Sequence, residues 1–312
     1  MSDDVIITIT LNAALHVSYQ AVGPVESETA VVPVGRPRYR AGGRGVTVAR
    51  VLSAFGHDVL AAGLAGGVAG ELIREDLARY GVPTAFTQIR GESRRVFQFN
   101  PGAHQFSEPG PYITTEELGR FAGDYRKLLT SAAAVVLCGS LPEGLPSDMY
   151  ATLVRYAAEA SVPVILDAGG EELVLAIRNR PALVVAESRD ADAGQRLLRM
   201  GAAAAAVICG ETVQVVTAAG EWTAALPPLP TVLTERAEPA PTVHSQRPRP
   251  VPPAHSQLDR GALVAGLVPG ELLGWSWPDR LRLSLALATG SGDEFDPRAY
   301  EGLLDSVMVN PA

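Results

Sequence analysis

Residues 5–11 alternate branched apolar positions, the period of a strand with one face against a core. A different period follows at 46–55. There Val48, Val51, Leu52 and Phe55 recur at helical spacing after the turn Gly42-Gly43-Arg44-Gly45, and Gly56 supplies the stop. The same two periods then trade places along the chain. Strands are expected at 59–64, 84–89, 95–100, 133–138, 162–167, 183–186 and 204–209. Helices are expected at 69–80, 114–129 (capped by Thr114 or Thr115), 147–160, 173–179 and 189–200. Further helical spacing covers 261–273, 279–288 and an amphipathic stretch at 298–307. Strand and helix alternating over short connections imply a parallel sheet covered on both faces. Ligands in such sheets sit beyond the carboxyl ends of the strands, so chemistry is sought in the segments that follow strands.

One segment breaks the rhythm. Residues 227–253 are rich in proline, which lacks an amide hydrogen and restricts its neighbour, so neither helix nor central strand is expected there. It reads as an exposed loop, with a proline-rich partner motif as the sharper alternative. His244 and His255 fall in a short echo, His-Ser-Gln twice, which is weak support for a metal.

With 312 residues, 47% of them hydrophobic, the chain can bury one large aliphatic core as a single domain. Its net charge of -8 argues against nucleic acid, whose phosphates need a basic face. A small anion needs only two or three local cations. No apolar run reaches the roughly 18 residues that cross a membrane. The acidic start MSDDVIITIT leads straight into a strand rather than a signal peptide. Cys138 and Cys209 each end a Val-containing run and read as small buried hydrophobes in a reducing compartment. A cytoplasmic protein is expected.

Seven islands then fall in order over nearly the whole chain. They are Thr10-Leu-Asn-Ala-Ala-Leu-His16, Gly42-Gly-Arg-Gly-Val-Thr-Val-Ala-Arg-Val-Leu52, Gly91-Glu-Ser-Arg94, Glu108-Pro-Gly-Pro111, Gly139-Ser-Leu-Pro-Glu-Gly144, Asp167-Ala-Gly-Gly-Glu171 and Ala262-Leu-Val-Ala-Gly-Leu267. In this order they resemble the 1-phosphofructokinase and tagatose-6-phosphate kinase group of the PfkB branch of ribokinase-like sugar kinases. The resemblance implies a three-layer α/β/α fold with a mostly parallel central sheet. It also implies a small β-sheet lid, from residues around 13–40 and 86–107. A sugar phosphate would lie under the lid, with ATP and Mg at the end of the sheet. A base at the last motif would take the sugar's proton, and the helix behind it would offer amide hydrogens to the phosphate. A homodimer paired through the lids is compatible with the same family.

By the resemblance, Gly42, Gly43, Arg44, Arg94 and Ser140 would face the substrate, with Arg44 and Arg94 holding phosphate. Other positions depart from the family pattern. His16 stands where the family has an Asp for sugar hydroxyls, Thr47 where it has an Asn, and Ser107 where it has another Asn. Val185-Ala-Glu187 replaces Lys-Pro-Asn beside the triphosphate. Gly210 keeps the turn of the nucleotide side, while Val213 replaces a glycine there. The last motif, Gly-Ala-Gly-Asp in the family, is Leu258-Asp259-Arg260-Gly261 here. Gly261 thus stands at the position of the catalytic Asp and has no proton-accepting side chain. Asp259 is either a displaced base or a helix N-cap. Arg260 either assists the helix dipole in holding an anion or is a solvated charge. The expected outcome is a homologue impaired in phosphoryl transfer that keeps a sugar-phosphate pocket. The alternatives are an active hexose-phosphate kinase using Asp259 and Glu187, and an interaction protein using the proline-rich loop.

Overall fold

Runs such as AAAVVLC at Ala132–Cys138 and AAAVIC at Ala204–Cys209 are apolar on both faces, as strands covered on both sides must be. The computed structural model describes residues 5–22, 33–99, 105–225, 258–289 and 303–311. In chain order its strands and helices begin β1 (Val5–Thr10), β2 (Ala14–Tyr19), β3 (Arg38–Gly42), α1 (Arg44–Ala54), β4 (Val59–Gly66) and α2 (Gly67–Arg79). There follow β5 (Thr84–Ile89), β6 (Arg94–Phe99), β7 (Gln105–Ser107), α3 (Thr115–Leu128), β8 (Ala132–Cys138), α4 (Met149–Glu159), β9 (Val164–Asp167) and α5 (Gly170–Ala176). The chain continues through β10 (Leu183–Glu187), α6 (Ala193–Met200), β11 (Ala204–Cys209), β12 (Thr212–Thr217) and β13 (Gly220–Ala225). It ends with α7 (Arg260–Leu273), α8 (Trp277–Thr289) and β14 (Met308–Pro311).

The large sheet has the order β14-β13-β12-β11-β10-β9-β8-β1-β4-β5. Its pairs from β5 to β11 are parallel, and β12, β13 and β14 add antiparallel edges. One core lies between the sheet and α1, α2, α7 and α8. A second, containing Phe121, Tyr125, Met149 and Leu153, lies under α3 to α6. A separate sheet, β3-β2-β6-β7, forms the lid. It hangs by Leu15, Val17 and Ala41, which enter the first core beside Ile73 and Leu77 of α2. The Asp76 carboxylate, buried there, accepts a 2.8 Å bond from the Ala41 amide and ties lid to helix. The small residue Gly266 lets α7 lie close on α8, where a Cβ would meet the Ser284 backbone at 2.5 Å.

Several expectations are corrected by position. Residues 84–89 pair with β4 in the large sheet, so the second lid segment begins at Arg94. α6 begins at Ala193 rather than 189, because Ser188 and Asp190 bond the amides two residues ahead and hold a turn. Cys138 is buried, but Cys209 is exposed at the end of β11. Periodicity did not announce β14, which seals the edge of β13. The proline-rich stretch 227–253, with His244 and His255, and the start of the expected 298–307 helix lie outside the described residues. Among the described residues no helix is long and apolar enough to cross a membrane.

Thr114, not Thr115, caps α3, and it does so within a capping box. Its hydroxyl accepts from the Glu117 amide, and the buried Glu117 carboxylate accepts from the Thr114 amide at 2.9 Å and the Arg90 amide at 2.7 Å. Thr114→Ala is expected to lower unfolding free energy by about 1 kcal/mol, read from urea titration.

Candidate functional site

The carboxyl ends of β1, β8, β9, β10 and β11 and the start of α7 converge where the strand pattern points. At the centre is Asp167, the last residue of β9, with no solvent exposure. A charge so placed needs partners. Arg44 Nη1 donates to both carboxylate oxygens at 2.9 Å, and Arg260 Nη2 lies 2.5 Å from Oδ1. Burial pushes the Asp167 carboxyl up, while the Arg260 and Arg44 guanidiniums pull it down; the rise prevails. Arg260 also donates to the Val185 carbonyl at 3.3 Å and stands 3.6 Å from the exposed Glu187 carboxylate. Arg44, Asp167, Arg260 and Glu187 therefore form a chain of alternating sign that sums to zero.

Arg44 reaches Asp167 because the turn before α1 is tight. Gly43, the N-cap, has φ 119, which disfavours any other residue, and a Cβ there would meet Thr10 Cγ2 at 2.8 Å. Beside Arg44 a cavity of about 170 Å³ is lined by Gly139, Ser140, Tyr150, Gly169 and Glu172 among others. Tyr150 donates its hydroxyl to the Gly139 carbonyl. Ser140 accepts from Asn12 Nδ2 at 3.3 Å.

The start of α7 is built differently from the expectation for a phosphate-binding helix end. Asp259 Oδ1 accepts from the Ala262 amide at 3.1 Å, and the Asp259 amide bonds the Ala288 carbonyl at 2.9 Å. Asp259 is thus the N-cap of α7. Its carboxylate occupies an amide that a bound anion would use. Gly261 is buried, and a Cβ on it would lie 2.8 Å from Thr47 Cβ, 2.9 Å from Thr47 Cγ2 and 3.2 Å from the Arg44 carbonyl. Real Cβ atoms essentially never come as close as the two Thr47 contacts would require. The start of α7 lies against α1, and Thr47 stands where a side chain at 261 would project.

The lid brings a second group together. The His16 ring packs on Gly42, where a Cβ would come within 2.2 Å of Cδ2. Arg94 donates Nε to the Asn12 carbonyl at 3.3 Å and Nη1 to Ser107 Oγ at 2.9 Å. Burial first, then the Arg94, Arg40 and Arg50 guanidiniums, hold the His16 imidazolium below its ordinary value of 6.5. Both effects favour the neutral imidazole. Arg94 and Arg44 are committed to different neighbours, the lid and Asp167. On the far side, Gly210 turns the chain from β11 to β12 with φ 60, and Val213 is buried. Among the described residues no group of three or more His, Cys, Asp or Glu side chains is placed to hold a metal.

A family model described as pfkB family carbohydrate kinase matches residues 13–221. The chain belongs to this family. A tagatose-6-phosphate kinase of Staphylococcus epidermidis is 37% identical over 183 residues, 57% of this chain and 58% of that protein. The chain thus spans little more than half the length of the curated relatives it matches. Among solved structures, a Thermotoga maritima protein described as a possible 1-phosphofructokinase superposes with TM-score 0.78 at 21% identity, covering 99% of both chains. Phosphofructokinase-2 of Escherichia coli with fructose-6-phosphate superposes with TM-score 0.76 at 19% identity, over 96% of this chain and 98% of that one. These likenesses establish the ribokinase-like fold of this family member.

The resemblance directed attention to Gly42, Gly43, Arg44, Arg94, Ser140, Arg260 and Gly261, but it assigned no role to Asp167, Asn12 or Tyr150. The signal for Asp167 was present: an acidic residue ending an apolar strand, at the end of the sheet where ligands bind.

Two measurements test this geometry. Helix propensity alone predicts that Gly261→Ala gains up to about 1 kcal/mol; the contact with Thr47 predicts a net loss of about 1–3 kcal/mol in urea titration. In a Thr47→Gly background that loss should shrink to under about 1 kcal/mol. For His16, the unfolded chain binds a proton below about pH 6.5 that the folded chain resists, so stability falls as pH drops through that value. In thermal melts from pH 7 to 5, His16→Gln should lose less stability than the wild type.

Proposed function

We propose that this pfkB family member binds a sugar phosphate under its lid and is impaired in phosphoryl transfer from ATP. The observation that carries the reading is the closed space at Gly261: the position of the expected base holds no side chain, and Thr47 fills the volume into which one would project. Loss of a positioned base typically costs 10²–10⁴-fold in rate.

Mg-ATP fits these residues poorly. Both oxygens of Asp167 are covered by guanidinium groups. The Arg44-Asp167-Arg260-Glu187 chain leaves no net cation for a triphosphate. Asp259 adds a negative charge at the helix end, which needs to be free for an anion. Arg260 does set a cation against position 185, where the family has a Lys. That cation is spent on Asp167.

The lid side is better kept. Arg94, Ser107, Asn12 and Ser140 form a continuous hydrogen-bonded line from β6 to the end of β8. Its arginine is suited to a phosphate, and tagatose 6-phosphate and fructose phosphates are the first candidates by family. Phe99 and Phe106, exposed on the outer side of the lid, offer apolar area for pairing two copies. The alternative, an active kinase using Asp259, requires that carboxylate to leave the Ala262 amide.

Thermal shift with tagatose 6-phosphate, fructose 1-phosphate, fructose 6-phosphate and Mg-ATP, each alone, separates these readings. A sugar phosphate is expected to raise the melting temperature and Mg-ATP to leave it unchanged. Turnover should stay under about 0.1 s⁻¹, against roughly 10 s⁻¹ for an ordinary enzyme. Turnover near 10 s⁻¹ that is lost in Asp259→Asn would establish the active kinase instead.

A further inference from the structure

A second cavity, of about 260 Å³, lies at the amino ends of the central strands. It is lined by the last turns of α4, the entry to β9 and the residues around Arg180, which follows the short turn Ile177–Asn179. Val154, Val162 and Val164 are buried and form its floor, with Ala182 beside them. Strand β9 runs from Val164 to Asp167, so roughly 10 Å of strand separates this cavity from the site described above.

Two of the lining residues hold a costly backbone. Ser161 has φ 60 and Arg180 φ 59, and every other positive-φ position among the described residues is a glycine. A side chain in this left-handed region crowds the following carbonyl, a strain that glycine avoids. The turns themselves need only backbone bonds. The Ser161 amide donates to the Ala158 carbonyl, the Val162 amide to the Ala157 carbonyl and the Arg180 amide to the Ile177 carbonyl. Glycine at 161 and 180 would make the same bonds. Strained residues that meet at one cavity point to a use for their side chains. Ser161, Asn179 and Arg180 all line the cavity, and none of the three makes a side-chain hydrogen bond or ion pair among the described residues.

No Asp or Glu lines the cavity, and Glu159, close to Ser161 along the chain, is held by Arg155 at 2.9 Å. One guanidinium, one hydroxyl and one carboxamide suit a single carboxylate. Arginine donates to both of its oxygens in parallel, and serine and asparagine supply further donors. A phosphate ester would bring nearly two charges to one cation and lay its sugar on valine. The floor calls instead for an apolar body, and the volume for one smaller than a drug-sized ligand. We propose that this cavity binds a small monocarboxylate, its carboxylate on Arg180, Ser161 and Asn179 and its apolar body on the valine floor. The site is independent of the lid and of the sugar-phosphate reading.

Titration of the isotope-labelled protein with sodium benzoate, followed by amide NMR, tests this. Benzoate is expected to saturate with a Kd of about 1 mM or tighter, and to bind at least about tenfold more tightly than benzyl alcohol, its neutral counterpart. The amides that move should be those of Ser161, Val162, Arg180 and Ala182. Arg180→Gly should weaken binding at least about tenfold and leave the melting temperature unchanged or higher, because glycine relieves the backbone. Ser161→Gly should weaken it about threefold or more, and it serves if Arg180→Gly fails to fold. Arg178→Gln, which removes an exposed cation outside the cavity, should leave binding unchanged. A titration that does not saturate, or shifts confined to the lid or to the carboxyl ends of the strands, overturns the inference. So does equal binding of benzyl alcohol or inorganic phosphate, or an affinity that survives both glycine variants. None of these outcomes bears on the sugar-phosphate reading, which the thermal shifts above decide separately.

Discussion

The site is organised around a carboxylate that has no access to water. Asp167 ends β9 inside the sheet, and an ion so buried costs several kcal/mol unless it is paired and hydrogen-bonded. Its partners come from two helix starts, Arg44 at the first residue of α1 and Arg260 at the first residue of α7. One ion cluster therefore fixes where both helices begin relative to the strand ends. Removing either arginine would leave the carboxylate part-paired. Removing the carboxylate would leave two guanidiniums facing each other.

That arrangement gathers Arg44, Asp167, Arg260 and the start of α7 into one packed cluster at the strand ends of a pfkB family fold. The Asp259 carboxylate accepts from the Ala262 amide, and Arg260 pairs with Asp167. Thr47 of α1 occupies the space into which a side chain at 261 would project. These contacts are mutually compatible, so the strand ends, α1 and α7 pack as one unit. The lid was not drawn into this. Arg94 makes a separate set of contacts there, and the lid is tied to the core by Asp76 and the Ala41 amide.

Much of the architecture was legible because burial has a period. The alternation at 5–11 became β1, and the aliphatic runs at 133–138 and 204–209 became central strands, since parallel strands must be apolar on both faces. The α3 cap was legible only as Thr114 or Thr115, and the Glu117 carboxylate on the Thr114 amide decides it. The start of α6 was not, because the polar residues 188–192 bond their own backbone before the helix can begin. Cys209 looked buried because it ends an apolar run, yet the strand runs out of the core one residue earlier. The candidate site was legible as positions: Gly261, Asp259 and His16 stood out as departures from a family pattern. What each departure did was not.

The sequence by itself determined the family, most strands of the parallel sheet with their covering helices, and which segments lie at the carboxyl ends of those strands. Those properties follow from local spacing and from motifs a few residues long. Only the tertiary structure decided the partners. Arg44 and Asp167 are 123 positions apart in the chain, and Thr47 and Gly261 are further apart still. Whether a guanidinium meets a phosphate or a carboxylate, and whether a glycine leaves a hole or a contact, depends on distances of an ångström between helices. The packing of α1 and α7 against the sheet sets those distances, and no local pattern encodes them.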